Sequence, residues 1–312
     1  MNYQIHQNIA QLVLDYGSQT ARELVEARYR SLVDIAREVL ADERQQIGIS
    51  YSGFCLTSLP HKKLADDKIW QRRGHRVTLL VEPGTMRSGD TVVKYGVPFG
   101  SRARMILLYL QTQAIRTGSR EIELGKSMRS WMERMGIAVG GETSRALKEQ
   151  ASRISACTLK FFWDGEDAES WARGAIVSAG LRFKDSKHHH HENQLWDDRV
   201  VLDETFWRAL RDHPVPLQEK AIRELAHRSL ALDVYIWLAW RCHELKGPVD
   251  ISWPALNAQF NTTGRPLKHF KPLFADAIRA ATAAYPECRL EVEERGVTLH
   301  PSRPPVPKLL SS

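Results

Sequence analysis

Four consecutive histidines, His188 to His191, are the most conspicuous residues in this chain that could do chemistry. Adjacent histidines chelate transition metals, and a His-hydrophobe-His strand paired with a tyrosine nucleophile would suit a rolling-circle nicking endonuclease. Here Lys187 and Glu192 flank the run and no apolar residue separates its members, so it reads as a solvated loop. "REIELGKS" ends as a phosphate-cradling Walker loop does, but Arg120 stands where the first glycine belongs. "GTMRSGDT" has the glycine spacing, with Asp90 in place of the phosphate-binding lysine, and a carboxylate would repel phosphate. The acidic pairs Asp66-Asp67 and Asp197-Asp198 could hold Mg²⁺ in a polymerase or primase, but each lies in a polar stretch and reads as solvated charge. Cys55, Cys157, Cys242 and Cys288 form no CxxC pair and are too few for a disulfide framework, which predicts reduced thiols in the cytoplasm. No catalysis, metal or cofactor is expected.

With enzymatic chemistry set aside, charge becomes the leading signal. The chain carries 44 Lys and Arg against 37 Asp and Glu, a formal +7, which points to an anionic partner with nucleic acid first. Its 312 residues, 43% of them apolar, can fill two core-forming domains. The opening "MNYQIHQN" has no basic segment leading into an apolar core, so no signal peptide is expected. The longest apolar run, "VYIWLAW", falls far short of the roughly 20 residues a bilayer span needs, so no membrane partner is expected.

Two stretches could supply the anion-binding face. In "GGETSRALKEQASRI", residues 140 to 154, a turn of about 100° per residue puts Leu147, Ala151 and Ile154 on one side. Arg145, Lys148 and Ser152 fall on the other, and Thr143 reads as the N-cap, followed by Ser144. A helix that reads DNA needs this layout, because the apolar face fixes it while long donors reach phosphates and base edges. In "GRPLKHFKPLF", Arg265, Lys268 and His269 face away from Leu267, Phe270 and Phe274, with Lys271 close behind. Pro272 either kinks this helix or sits in its first turn, with the helix beginning near Lys271. Trp237 and Trp240 lie in an apolar helix and read as core rather than base-stacking platforms.

Both stretches occupy the third helix of a repeated architecture. The first copy reads as helix ("SRARMILLYLQTQAIRTG"), extended link ("REIEL"), helix ("GKSMRSWMERMGI"), helix ("TSRALKEQASRI") and two strands ("CTLKFFWD", "GAIVSAGLRFK"). The second reads as "SLALDVYIWLAWRCHELKG", "PVDIS", "WPALNAQFN", residues 265–285, and a hairpin of "CRLEVEE" and "GVTLHP" around Arg295-Gly296. That order is the winged-helix variant of the helix-turn-helix, whose third helix enters a major groove beside a flanking hairpin. The first wing brings Arg182 and Lys184 as further candidate DNA contacts.

The expected fold is therefore α+β, mainly helical, with tandem winged-helix domains at 96–205 and 206–302, an accessory segment at 1–95 and a flexible tail at 303–312. In the accessory segment, residues 1 to about 46 read as amphipathic helix with Leu24, Leu32, Ile35 and Val39 near one face. "ISYSGFCLTSLP" and "HRVTLLVEPG" suit two strands that pack on the first domain, and "PGTMRSGD" reads as an exposed loop.

With those segments in place, the chain resembles the plasmid replication initiators of the RepA type. The most specific blocks are "GVPFGSRARMILLYLQTQAIRT" and "LALDVYIWLAWR", supported by "SGFCLTSLPHKKLADDKIWQR", "ISWPALNAQF" and "YPECRLEVEERGVTL". The resemblance implies a cytoplasmic protein that binds repeated sites (iterons) in double-stranded plasmid origin DNA. It also implies help in opening the duplex, recruitment of the host initiator and replicative helicase machinery, copy-number control, and a monomer–dimer balance in which a homodimer is one state.

Overall fold

The computed structural model of the chain describes residues 8–74, 76–88, 90–163, 170–180 and 199–306. Helices α1 (Ile9–Leu24) and α2 (Arg30–Leu40) lead into strand β1 (Ile47–Tyr51) and the short helix α3 (Ser52–Leu56). Four strands follow: β2 (Trp70–Arg73), β3 (Val77–Glu82), β4 (Gly84–Ser88) and β5 (Thr91–Tyr95). Next come α4 (Gly100–Thr117), β6 (Glu121–Glu123), α5 (Met128–Arg134) and α6 (Gly141–Ala156). Strands β7 (Thr158–Trp163), β8 (Ser170–Ala175), β9 (Val177–Gly180) and β10 (Arg199–Leu202) precede α7 (Glu204–Asp212). The chain continues through β11 (Pro214–Gln218), α8 (Glu219–Glu224), α9 (Ser229–Cys242), β12 (Val249–Ser252) and α10 (Trp253–Phe260). It closes with α11 (Leu267–Ala283), β13 (Leu290–Val292) and β14 (Gly296–Leu299).

These elements form two compact units, one from Leu56–Pro214 and the other from the chain up to Cys55 together with everything from Val215 onward. In the Leu56–Pro214 unit the buried helix α4 ends at Gly118, whose φ of 63° gives the left-handed cap that terminates helices. The three-stranded sheet runs β6-β10-β9, antiparallel, with Ile122 and Gly180 both paired to Val200. A second sheet runs β2-β3-β7-β8. Along β3, Val77, Leu79 and Val81 are fully buried while Thr78, Leu80 and Glu82 are half-buried, the period of two that a sheet with one covered face imposes.

This pairing corrects the expected wing. The segments "CTLKFFWD" and "GAIVSAGLRFK" do not close on each other alone. β7 pairs with β3 and β8, while β10 pairs with β6 on one side and β9 on the other. Strand partners are set by contacts distant in sequence, so the pattern of β-formers located the strands but not their neighbours. Likewise "PGTMRSGD" is no plain loop: β4 and β5 make an antiparallel ribbon with Arg87 opposite Val92.

In the other unit, β12-β14-β13 has the same first-third-second strand order, with Ile251 and Val292 both opposite Val297. Helix α9 is buried on every side from Ala231 to Ala239. Trp237 is core and meets the Phe260 ring edge-on at 5.3 Å, whereas Trp240 is only half-buried. Helix α2 packs on α11 and α8, and α1 packs on α2 and α11. The Tyr29 hydroxyl donates to Asp276 at 2.9 Å, and Lys220 bridges to Glu38 at 2.8 Å.

Residues 1–95 are thus not one accessory segment on the first module: α1, α2 and β1 belong with the second, while β2 and β3 join β7. Leu32, Ile35 and Val39 are buried as their spacing requires, but Leu24 is 59% exposed because α1 ends there and the chain turns before α2 begins. "ISYSGFCLTSLP" turns helical after Tyr51. The beginning of the expected flexible tail is held in place, with Val306 buried and the Arg303 carbonyl accepting from the Tyr285 hydroxyl at 2.6 Å. All four cysteines are buried free thiols.

Candidate nucleic-acid interface

Helix α6 is held by its inner face. Leu147, Ala151 and Ile154 are fully buried, and burial of the leucine and isoleucine side chains contributes about 1.5–3 kcal/mol each. Gln150 is also buried, its side-chain oxygen accepting the Phe99 N–H at 2.9 Å. Arg153, only 3% exposed, bridges to Asp66 at 2.8 Å and to Glu149 at 3.1 Å, and donates to the Val97 carbonyl at 3.3 Å. Its guanidinium stands 5.2 Å from the Phe99 ring centroid. The Arg153 hydrogen bond holds the Asp66 carboxyl below the usual carboxylate range. Asp66 therefore anchors the helix rather than sitting idle in solvent. Sequence reasoning missed both Arg153 and Gln150, whose partners lie 87 and 51 residues away.

The outer face of α6 is polar. Arg145 is exposed, and Thr143, Ser144, Lys148 and Ser152 are half-exposed. Arg145 and Lys148 form no ion pair among the described residues, although Glu149 lies within helical reach. Glu149 is engaged by Arg153 and, at 3.6 Å, by Lys63. The expected N-cap is displaced: Gly140 caps the helix, its carbonyl accepting the Ser144 N–H at 2.9 Å, and Thr143 falls inside the first turn. The helix takes in Gly141, Glu142 and Thr143, so it starts three residues earlier than an N-cap at Thr143 would place it. Arg182 and Lys184 lie outside the described residues, as do His188 to His191 and the Asp197-Asp198 pair.

Helix α11 is set by its own entry loop. Asn261 donates to the Arg265 carbonyl at 2.7 Å and accepts the Arg265 N–H at 3.2 Å, which fixes the chain from α10 into α11. An asparagine before "TTG" is a turn signal the sequence offered and the reading did not use. Arg265, Lys268 and His269 are exposed and have no ion-pair partner among the described residues, while Phe270 and Phe274 are buried and stacked at 5.2 Å. Lys271 stands apart from this group. It is half-buried, its ammonium 5.6 Å from the Trp253 ring centroid and donating to the Glu294 carbonyl at 3.4 Å.

Pro272 lies inside the helix, which begins at Leu267 and not near Lys271, and it leaves the Lys268 carbonyl without the N–H four residues on. At its turn the hairpin beside α11 exposes Glu293 and Glu294 against Arg295, a local balance that repels phosphate.

The arrangement supplies helices packed by their apolar faces, with long donors on the outside that have no ion-pair partner among the described residues. Among the described residues no three His, Cys, Asp or Glu side chains gather where a metal could bind, and no described helix is long and apolar enough to cross a membrane.

Residues 97–253, just over half the chain, match the family described as plasmid encoded RepA protein. No curated protein sequence matches the chain. Among solved structures, a crystal structure of domains 2 and 3 of RctB, as its SeMet derivative, aligns with a TM-score of 0.53 at 11% identity. That alignment covers 80% of this chain and 98% of the other. A second structure of RctB domains 2-3 gives 0.49 at 11% identity, covering 80% and 94%. At that identity the likeness concerns the fold alone.

Proposed function

The chain belongs to the plasmid-encoded RepA protein family, and from that premise we propose that it is a plasmid replication initiator that binds iterons in double-stranded origin DNA through two winged-helix modules. One observation carries the reading: Arg145 and Lys148, without an ion-pair partner among the described residues, stand on the outer face of a helix whose inner face is locked by Leu147, Ile154 and the Arg153–Asp66 bridge. Unpaired cations on a rigid helix favour an external anion, and placement as the third helix before a strand pair suits a major groove. Arg265, Lys268 and His269 give the second module its contacts. With two modules on one duplex, their affinities combine and the length of the site is set. Opening of the duplex, recruitment of host initiator and helicase, homodimerisation and copy control follow from the same reading, as does a cytoplasmic location.

The test is footprinting of the purified protein on the DNA beside its gene. Protection of several direct repeats, lost in an Arg145→Ala/Lys148→Ala double variant, is the expected result. Protection of one inverted repeat would assign the protein to transcriptional repression instead. Incubation with supercoiled origin DNA and Mg²⁺ or Mn²⁺ is expected to leave it unnicked, since the proposal gives the protein no chemistry on the DNA backbone.

A further inference from the structure

Several described glycines in the Leu56–Pro214 unit have reasons that lie within the fold. A Cβ at Gly74 or Gly84 would fall 2.0 and 1.8 Å from a backbone carbonyl oxygen, and Gly118 and Gly136 hold φ of 63° and 68°. Gly140 serves as the N-cap of α6, a position glycine fills well. Gly141 has none of these reasons. It lies within the first turn of α6 without a positive φ, it is exposed, and a Cβ built on it meets nothing within 4 Å. Alanine there would favour the helix, since glycine is the poorest helix former after proline.

The position of Gly141 supplies the missing reason. At about 100° per residue, Gly141, Arg145, Lys148 and Ser152 fall within one narrow stripe along the outer face of α6. The stripe that carries the two cations therefore begins at a residue with no side chain. Val139, 47% exposed, borders the same end, an apolar group better suited to a deoxyribose or base edge than to water. We propose that Gly141 is the point of closest approach between α6 and the duplex: the absent side chain lets the helix seat deeply enough for Arg145 and Lys148 to reach base edges. The claim concerns the space a side chain would take, and it rests on the DNA-binding reading above.

Two substitutions separate this from an ordinary exposed helix position. The probe is a fluorescein-labelled duplex spanning the direct repeats beside the gene, with a shuffled duplex of equal length as control. Gly141→Ala is expected to melt at the same temperature as the parent or higher, yet to bind the repeats at least tenfold more weakly. Gly141→Lys adds a cation to the stripe. On an open electrostatic face it would tighten binding, whereas close approach requires that it weaken binding and reduce the preference over the shuffled duplex.

Either variant binding the repeats as well as the parent overturns the inference. So does a lowered melting temperature for Gly141→Ala, which would give the glycine a structural role. If the Arg145→Ala/Lys148→Ala control weakens binding while both Gly141 variants bind normally, only the close-approach claim fails. If that control has no effect, the DNA reading of α6 fails and this inference fails with it.

Discussion

The Arg153 guanidinium and the Asp66 carboxylate meet at 2.8 Å, joining the inner face of α6 to the segment ahead of β2. Arg153 is almost wholly buried, Asp66 about half-exposed, and Glu149 supplies a second acid at 3.1 Å. Replacing Asp66 with Asn should therefore cost about 1–2 kcal/mol. That is less than the loss of the sole partner of a buried charge, because Glu149 remains and solvent screens the Asp66 side of the bridge. The folded-state pKa of Asp66 is lowered, so its contribution is present above the ordinary carboxylate pKa near 4 and disappears as pH falls through the depressed value. Denaturant titrations of parent and Asp66→Asn should differ at pH 7 and converge below pH 4.

His61 gives a second pH signature with a different window. Burial, then the nearby Arg104 and Arg72 cations, push its pKa down to about 2. Arg104 is itself fixed, donating to the Leu59 carbonyl at 2.7 Å and the Pro60 carbonyl at 3.3 Å. A histidine kept neutral in the folded state opposes folding once the unfolded chain can protonate it. Its penalty is absent above about pH 6.5 and grows by about 1.4 kcal/mol per pH unit below that. Between pH 6.5 and 5, His61→Gln should lose stability less steeply than the parent, by about one proton in the slope. Equal slopes would show that His61 protonates in the folded protein.

Pro272 interrupts the hydrogen-bond ladder of α11 one turn after Lys268. A proline inside a helix costs about 3 kcal/mol, partly offset by the freedom it removes from the unfolded chain. Pro272→Ala should raise stability by about 1–2 kcal/mol, read as a higher denaturation midpoint with an unchanged slope. The helix survives the proline in the parent because Phe270, Phe274 and Ile278 hold its buried face.

These positions also mark how far the sequence could be read. The period of apolar residues located α4, α6, α9 and α11 and named the buried faces of α6 and α11, because helical spacing is a local property. Leu24 failed for the complementary reason: one amphipathic stripe was extended through Val25–Tyr29, where the chain turns. The partners of β7, the attachment of α1 and α2 to the second module, and the burial of Arg153 depend on residues far apart in sequence, so no local pattern announced them. The exposed candidates Arg145, Lys148, Arg265 and Lys268 were legible as cations opposite an apolar face. The engagement of Lys271 with Trp253 and the Glu294 carbonyl was not, since it required knowing where the β13–β14 turn would fold.

The two modules should differ in how they use charge. On α6 Arg145 and Lys148, with no ion-pair partner among the described residues, lie on the outer face, whereas at the turn beside α11 the carboxylates of Glu293 and Glu294 outnumber Arg295, and Arg265, Lys268 and His269 form an exposed basic group at the start of the helix. Each cation that neutralises a phosphate releases counterions and steepens the fall of log affinity with log salt by about 0.9. Arg145→Ala/Lys148→Ala and Arg265→Ala/Lys268→Ala should each reduce that slope by up to about 2, according to how many of the removed cations meet phosphate rather than base. Glu293→Gln/Glu294→Gln should act in the opposite sense, tightening binding at low salt without improving selection for the repeats, because relieving repulsion adds no contact to a base edge. Binding isotherms at several salt concentrations check all three. A slope unmoved by Arg265→Ala/Lys268→Ala would restrict phosphate contact to the first module.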